Sequence, residues 1–169
     1  TGMHSRFFED YVAELMALTE DGNPLKVRRA LRNSYMLSSD VSAGYAPAYG
    51  EAFEKKNAAY LGRGIVLNKF TGARGKSGSN DANAEYVARV RRIFDDHNVA
   101  FQTAELGKVD FGGGGTIAYI AALYGMEVID SGVAVPARRM YMRHTRHIRR
   151  FYLMHKQIYK CASVLKTFR

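Results

Sequence analysis

Gly64-Ile-Val-Leu-Asn-Lys69, the run Asp81-Ala-Asn-Ala-Glu-Tyr-Val-Ala-Arg-Val-Arg-Arg-Ile-Phe-Asp-Asp96, and Val99-Ala-Phe-Gln-Thr103 together decide the fold. The first is a short apolar run of strand length. The second places Tyr86, Val87, Val90, Ile93 and Phe94 on one side of a helix, with Ser79 to Asp81 as its N-caps. The third is again strand-like. A strand, a helix and a strand in succession argue for an α/β domain with a central sheet between helical layers.

Working outward, the same alternation continues. Phe7, Phe8, Tyr11, Val12, Leu15, Met16 and Leu18 recur at helical spacing over residues 4–19. The breaker Glu20-Asp-Gly-Asn-Pro24 follows, then a short helix from Leu25 to Arg32 with a basic exposed face. Ser34-Tyr-Met-Leu-Ser38 reads as a buried strand ending just before Asp40. Thr71-Gly-Ala-Arg-Gly-Lys-Ser-Gly78 reads as a flexible loop, and Asp110-Phe-Gly-Gly-Gly-Gly-Thr116 as a loop opening onto a helix from Ile117 to Tyr124. Met126 to Asp130 is the next strand, and residues 141–166 are expected to form a terminal helix.

The 169 residues suffice for one compact domain with a sizeable core. Apolar runs fall far short of the ~18 residues of a membrane span. Residues 1–20 carry Arg6, Glu9, Asp10 and Glu14, which argues against a signal-peptide core. Cys161 is the single cysteine, so no intrachain disulfide forms and the cytoplasm is the expected compartment. The net charge of +9 is uneven: residues 1–136 hold 15 Lys+Arg and all 16 acids, a net of −1, whereas residues 137–169 hold 10 basic residues and no acid. That divides the chain into a near-neutral part, 1–135, and a basic tail, 136–169. Such a tail either binds nucleic acid or an acidic partner through salt-sensitive contacts, or is a helix with a solvated basic face. The second reading is favoured.

Several residues suggest chemistry. Asp40 follows an apolar strand, and strand ends are where open α/β sheets gather ligand sites; its carboxylate is a hard oxygen donor suited to Zn²⁺, or else a turn-forming side chain. Gly112, Gly113, Gly114, Gly115 and Thr116 let a backbone approach a ligand closely, with a helix N-terminus behind them. They do not match a dinucleotide fingerprint. Gly75-Lys-Ser77 resembles the end of a phosphate-binding loop, but Phe70 stands where its first glycine belongs, so nucleotide binding is not expected. Lys69 and Lys76 are candidates to meet a substrate carboxylate, or are solvated lysines. No nucleophilic triad is evident around His4 or His97, and His144, His147 and His155 lie in the basic tail without a nearby acid.

Taken together, Gly2-Met-His-Ser-Arg-Phe-Phe-Glu9, Met36-Leu-Ser-Ser-Asp-Val41, Phe53-Glu-Lys-Lys-Asn-Ala-Ala-Tyr60, Asn68-Lys-Phe-Thr-Gly72, Gly75-Lys-Ser-Gly-Ser-Asn-Asp-Ala82 and Glu105-Leu-Gly-Lys-Val-Asp-Phe-Gly-Gly-Gly-Gly-Thr116 resemble the bacterial branch of the aspartyl-aminopeptidase (aminopeptidase I) family of zinc exopeptidases. The resemblance spans about residues 1–135. It implies the C-terminal half of a three-layer α/β/α zinc-peptidase domain, with a second domain inserted upstream. It also implies large homo-oligomers and removal of N-terminal residues from peptide substrates. Two zinc ions would activate water and clamp the scissile carbonyl, with a glutamate as general base.

Matched residue by residue, Asp40 falls on a metal-ligating aspartate, Lys69 near a lysine that contacts substrate, and Gly112 to Thr116 on the loop lining the substrate pocket. The first histidine ligand, the bridging aspartate and the paired glutamates would lie upstream of Thr1. After Gly132-Val-Ala-Val135 the family pattern leads to a further histidine ligand, and here Arg139 stands in its place. Arginine cannot ligate a metal, having no free lone pair. A shifted reading frame near Pro136 would account for the lost pattern, the lost ligand and the acid-free tail together; coding DNA without the family motif in another frame would refute it. The chain is therefore expected to be inactive alone. Alternatives are a non-catalytic assembly subunit and binding of nucleic acid or an acidic partner by the tail. No membrane partner is expected.

Overall fold

The computed structural model describes residues 4–19, 23–73, 77–108 and 116–135, the side chains of Asp40 and Ala73 excepted. Gly112 to Gly115, Gly75, Lys76, Arg139 and the expected helix at 141–166 lie outside the described residues. Helix α1 spans Phe7–Thr19 and α2 spans Pro24–Arg32. The strands are β1 (Tyr35–Ala43), β2 (Ile65–Asn68), β3 (Phe70–Ala73), β4 (Ser77–Asp81), β5 (Phe101–Thr103) and β6 (Glu127–Val135). Helix α3 (Ala84–Asp96) lies between β4 and β5, and α4 (Ala118–Ala122) precedes β6. A 3₁₀ helix at Pro47–Ala52 was not foreseen from the sequence.

The helix boundaries have local causes. Pro24 stands in the first turn of α2, where its missing N–H costs nothing, and the Asn23 side chain accepts a hydrogen bond from Leu25 N–H at 2.9 Å. Asn83, not Ser79 to Asp81, caps α3: its Oδ1 accepts from Glu85 N–H at 3.1 Å. The residues expected as caps are instead paired in β4, where Asp81 lies opposite Phe70.

Four strands form a mixed sheet in the order β1-β6-β2-β5. β6 runs parallel to β1, with Ser38 opposite Asp130 and Asp40 opposite Gly132. It runs antiparallel to β2, with Asn68 opposite Asp130 and Val66 opposite Gly132. β2 and β5 are parallel. β6 is buried over seven consecutive residues, Val128 to Ala134, as expected for a strand flanked on both edges and covered on both faces. β3 and β4 form a separate antiparallel pair. Gly64 is indispensable where the chain enters β2: at φ +91°, any Cβ there would fall 2.1 Å from the Ala100 carbonyl oxygen.

The two faces are covered by different helices. Tyr86, Val90 and Phe94 of α3 pack with Ile65, Leu67, Val99 and Ile129, and Leu37 joins this cluster from β1. Ala118 and Ala121 of α4 pack with Val128, and Met36 joins from β1. Because Val128 and Ile129 are successive, they point to opposite faces. The sheet is thus a middle layer between α3 and α4. Burial pushes the Tyr86 hydroxyl up to about 12, the nearby Arg89 charge opposing it and Glu127 and Tyr35 adding to it.

Helix α1 forms where its periodicity predicts, yet it buries none of its residues. Phe7 is 69% exposed and Leu18 83%. α1 is held at its start, where the Phe8 ring meets that of Tyr124 at 5.5 Å and the Ser5 carbonyl accepts from the Tyr124 hydroxyl at 3.3 Å.

Candidate functional site

β1 runs through Asp40 to Ala43 and does not end before it. The expected boundary fails because Ser38, Ser39, Asp40 and Ser42 look like the start of a loop, whereas nine consecutive register partners in β6 hold them extended. Asp40 thus stands inside a strand, two residues after Ser38 and two before Ser42. In the same two-residue series, adjoining strands contribute Asp130 and Asn68.

These neighbours form a buried polar seam across the sheet. Ser38 and Asn68 are fully buried, and Asp130 and Ser42 nearly so. The Asn68 amide donates to Asp130 Oδ2 at 2.8 Å and to Ser42 Oγ at 3.2 Å, so one side chain ties β1, β2 and β6 together. Among the described residues, Ser38 Oγ has no hydrogen-bond partner, a costly state for a buried hydroxyl. Leaving several polar groups in the middle of a sheet is unfavourable against an apolar packing of the same shape, so each such group calls for an explanation. Sequence reasoning missed Asn68, Asp130 and Ser42. The available signal was a polar residue ending each of two apolar runs, Val66-Leu-Asn68 and Val128-Ile-Asp130.

Lys69 follows Asn68 at the exit of β2. It is about half exposed and is ion-paired with Asp81 at the end of β4. The Ala82 N–H donates to the Lys69 carbonyl at 2.8 Å, so the same junction closes the base of the β3–β4 pair. The expected flexible loop at 71–78 is in part this pair, with Thr71 opposite Asn80. Thr116 is buried, and its Oγ1 accepts a hydrogen bond from Ala118 N–H at 3.3 Å, capping the turn that starts α4. The helix behind the glycine run is shorter than its sequence suggests, Ala118–Ala122 against Ile117–Tyr124. One such turn aligns few peptide dipoles and offers little of the expected positive end. The Asn68–Lys69 junction is continuous with the Asp40 seam through Asn68; Gly112 to Gly115 cannot be related to either.

A mixed sheet packed between helices, with buried polar residues on one face of β1, β6 and β2, defines a layered α/β domain. Comparison with known proteins makes this specific. The family model for aminopeptidase I zinc metalloprotease (M18) matches residues 1–167, and the chain belongs to that family. The probable M18 family aminopeptidase 1 of Clostridium acetobutylicum is 64% identical over 135 residues, which cover 80% of this chain and 29% of that protein. Its counterpart in Borreliella afzelii is 40% identical over 164 residues, covering 95% of this chain and 36% of that protein. The crystal structure of aminopeptidase I from Clostridium acetobutylicum superposes with a TM-score of 0.68 at 63% identity, covering 80% of this chain and 29% of that one. The chain therefore spans about a third of the length of these relatives. The family match runs through residue 167, beyond the change of composition at 136.

Zinc is a property of the family; by strand alternation, position 40 belongs to the same two-residue series of β1 as the buried Ser38 and Ser42. Among the described residues, no three His, Cys, Asp or Glu side chains lie together. Nor, among them, is any helix long and apolar enough to cross a membrane.

Proposed function

We propose that this chain supplies the C-terminal share of the catalytic domain of a zinc aminopeptidase, which removes N-terminal residues from peptides. The observation that carries the reading is the buried polar seam flanking Asp40 in a chain of this family. Asp40 is one metal ligand. Lys69, next to Asn68 of the seam, contacts substrate, as do Gly112 to Thr116. A pair of zinc ions, completed by ligands from outside this chain, would polarise the scissile carbonyl and supply a hydroxide. This chain's own part is to carry Asp40 on β1 and to offer Lys69 and the glycine-rich loop to the substrate.

The tail beyond residue 135, with Arg139 where a histidine ligand is expected, does not complete the site. The isolated chain is consequently inactive. Homo-oligomerisation is supported by the exposed stripe Phe7, Tyr11, Leu15 and Leu18 of α1, and a cytoplasmic location by the single cysteine.

The test is a graft. Residues 1–135 of this chain replace the matching segment of the Clostridium acetobutylicum relative, and hydrolysis of aminoacyl anilides is measured with Zn²⁺ or Co²⁺. The expected result is an active graft, an inactive Asp40→Ala version of it, and no turnover by the 169-residue chain alone. An inactive but folded graft, or turnover by the isolated chain, would overturn the reading.

A further inference from the structure

We propose that Asp130, Asn68 and Ser42 are positioning residues that hold β1 in place for metal binding at Asp40. This rests on the reading of Asp40 as a ligand.

Among the described strands, β1 pairs with β6. A ligand displaced by about 1 Å loses much of its effect, so the strand that carries it gains from being tied by side chains as well as by its backbone. The seam provides that tie from two strands away. Asn68 belongs to β2, which does not touch β1 in the sheet order, yet its amide reaches Ser42 Oγ at 3.2 Å while holding Asp130 Oδ2 at 2.8 Å. Ser42 lies two residues beyond Asp40 on the same series of β1, and Asp130 lies opposite Ser38, two residues before it. The anchors therefore bracket position 40 along the strand and reach it across the sheet.

The polarity of these anchors supports the same view. Asp130 is 1% exposed and Asn68 0%. A carboxylate buried this deeply costs stability unless it is well hydrogen-bonded, and leucine or valine would pack such a position more favourably. The opposite face of the same three strands is packed in that way, with Leu37, Ile129 and Leu67. Polar anchors are directional where apolar ones slide, and the face that uses them is the one carrying position 40.

The test uses the grafted enzyme, since zinc binding needs ligands from outside this chain. Zinc affinity is measured by competition with a chromogenic chelator, alongside thermal unfolding, in the parent and in Asp40→Ala, Asp130→Ala, Asp130→Asn and Ser42→Ala. Asp130→Ala is expected to weaken zinc binding about 10–100-fold while unfolding stays cooperative. Asp130→Asn, whose Oδ1 still accepts from Asn68, should restore most of it, because the tie and not the charge is what positions β1. Ser42→Ala, a small change with little effect on folding, should lower affinity several-fold. If Asp130→Ala does not fold, Ser42→Ala decides the matter. Folded Asp130→Ala or Ser42→Ala proteins that keep the parent's zinc affinity overturn the proposal, provided that Asp40→Ala has lost it. An Asp40→Ala protein that still binds zinc like its parent overturns the ligand reading itself.

Discussion

The two faces of the sheet are made by alternate residues of the same strands, yet they are built on opposite rules. Toward α3, Leu37, Ile129, Leu67 and Ile65 meet Tyr86, Val90 and Phe94 in an apolar cluster. Toward α4, Met36 and Val128 give way along the strands to Ser38, Asp130, Asn68 and Ser42, all buried and mostly hydrogen-bonded to one another. A one-residue shift of register would exchange these faces, so the alternation itself specifies the pairing. The contrast teaches a division of labour within single strands: one face stabilises the domain, and the other accepts a cost in stability to place polar groups.

The largest way to break the apolar face is Phe94→Ala. Phe94 is fully buried against the Phe101 ring, and the cavity should cost about 3–5 kcal/mol, read as a fall in denaturant midpoint. A loss below about 1 kcal/mol would mean that α3 is not a principal source of stability. On the polar face, Asn68→Ala removes the 2.8 Å donor to Asp130 and should cost about 1–3 kcal/mol, chiefly by leaving a buried carboxylate less well paired. If it proved stabilising, the seam would be a burden without a tie.

A pH experiment sharpens the comparison further. With the Tyr86 hydroxyl pushed from 10.0 to about 12 in the folded chain, the unfolded state ionises first. Folding stability is therefore unaffected by this group below pH 10 and falls progressively between pH 10 and about 12. In Tyr86→Phe that part of the decline should vanish, as followed by unfolding at successive alkaline pH values. Lys69→Ala should have the smallest effect on stability. Its ion pair with Asp81 is exposed on both sides, so the loss should be below about 1 kcal/mol and should shrink further in high salt. A larger cost would show that the junction at the base of β3–β4 is a structural clamp.

Legibility differed by element, for identifiable reasons. α3 was readable because Tyr86, Val90 and Phe94 recur at the helical period and do face the core. α1 is readable as a helix, but Phe7, Tyr11, Leu15 and Leu18 stay exposed while Phe8, Val12 and Met16 are half-buried, since periodicity reports a helix's capacity for burial and not the surface that meets it. β1 was cut short and β3–β4 was taken for a loop. Ser39, Asp40, Gly72 and Ser77 carry weak strand preference, and only their pairing partners make them extended. Asp40 and Lys69 could be singled out by resemblance. Asn68 and Asp130 carry only a weak signal, a polar residue ending an apolar run, and what joins them is strand pairing across 62 positions.

By itself, then, the sequence determined the alternation of strands and helices, the family, the position of Asp40 and the uneven charge. These depend on neighbours in the chain or on motifs that survive as linear patterns. The tertiary structure alone decided that Asp40 lies within a strand, that the sheet is mixed in the order β1-β6-β2-β5, and that Asn68 joins Ser42 and Asp130. Ser42 and Asn68 are 26 positions apart, and Asn68 and Asp130 are 62. Contacts across such separations arise from strand pairing, which a one-dimensional pattern of polarity does not encode.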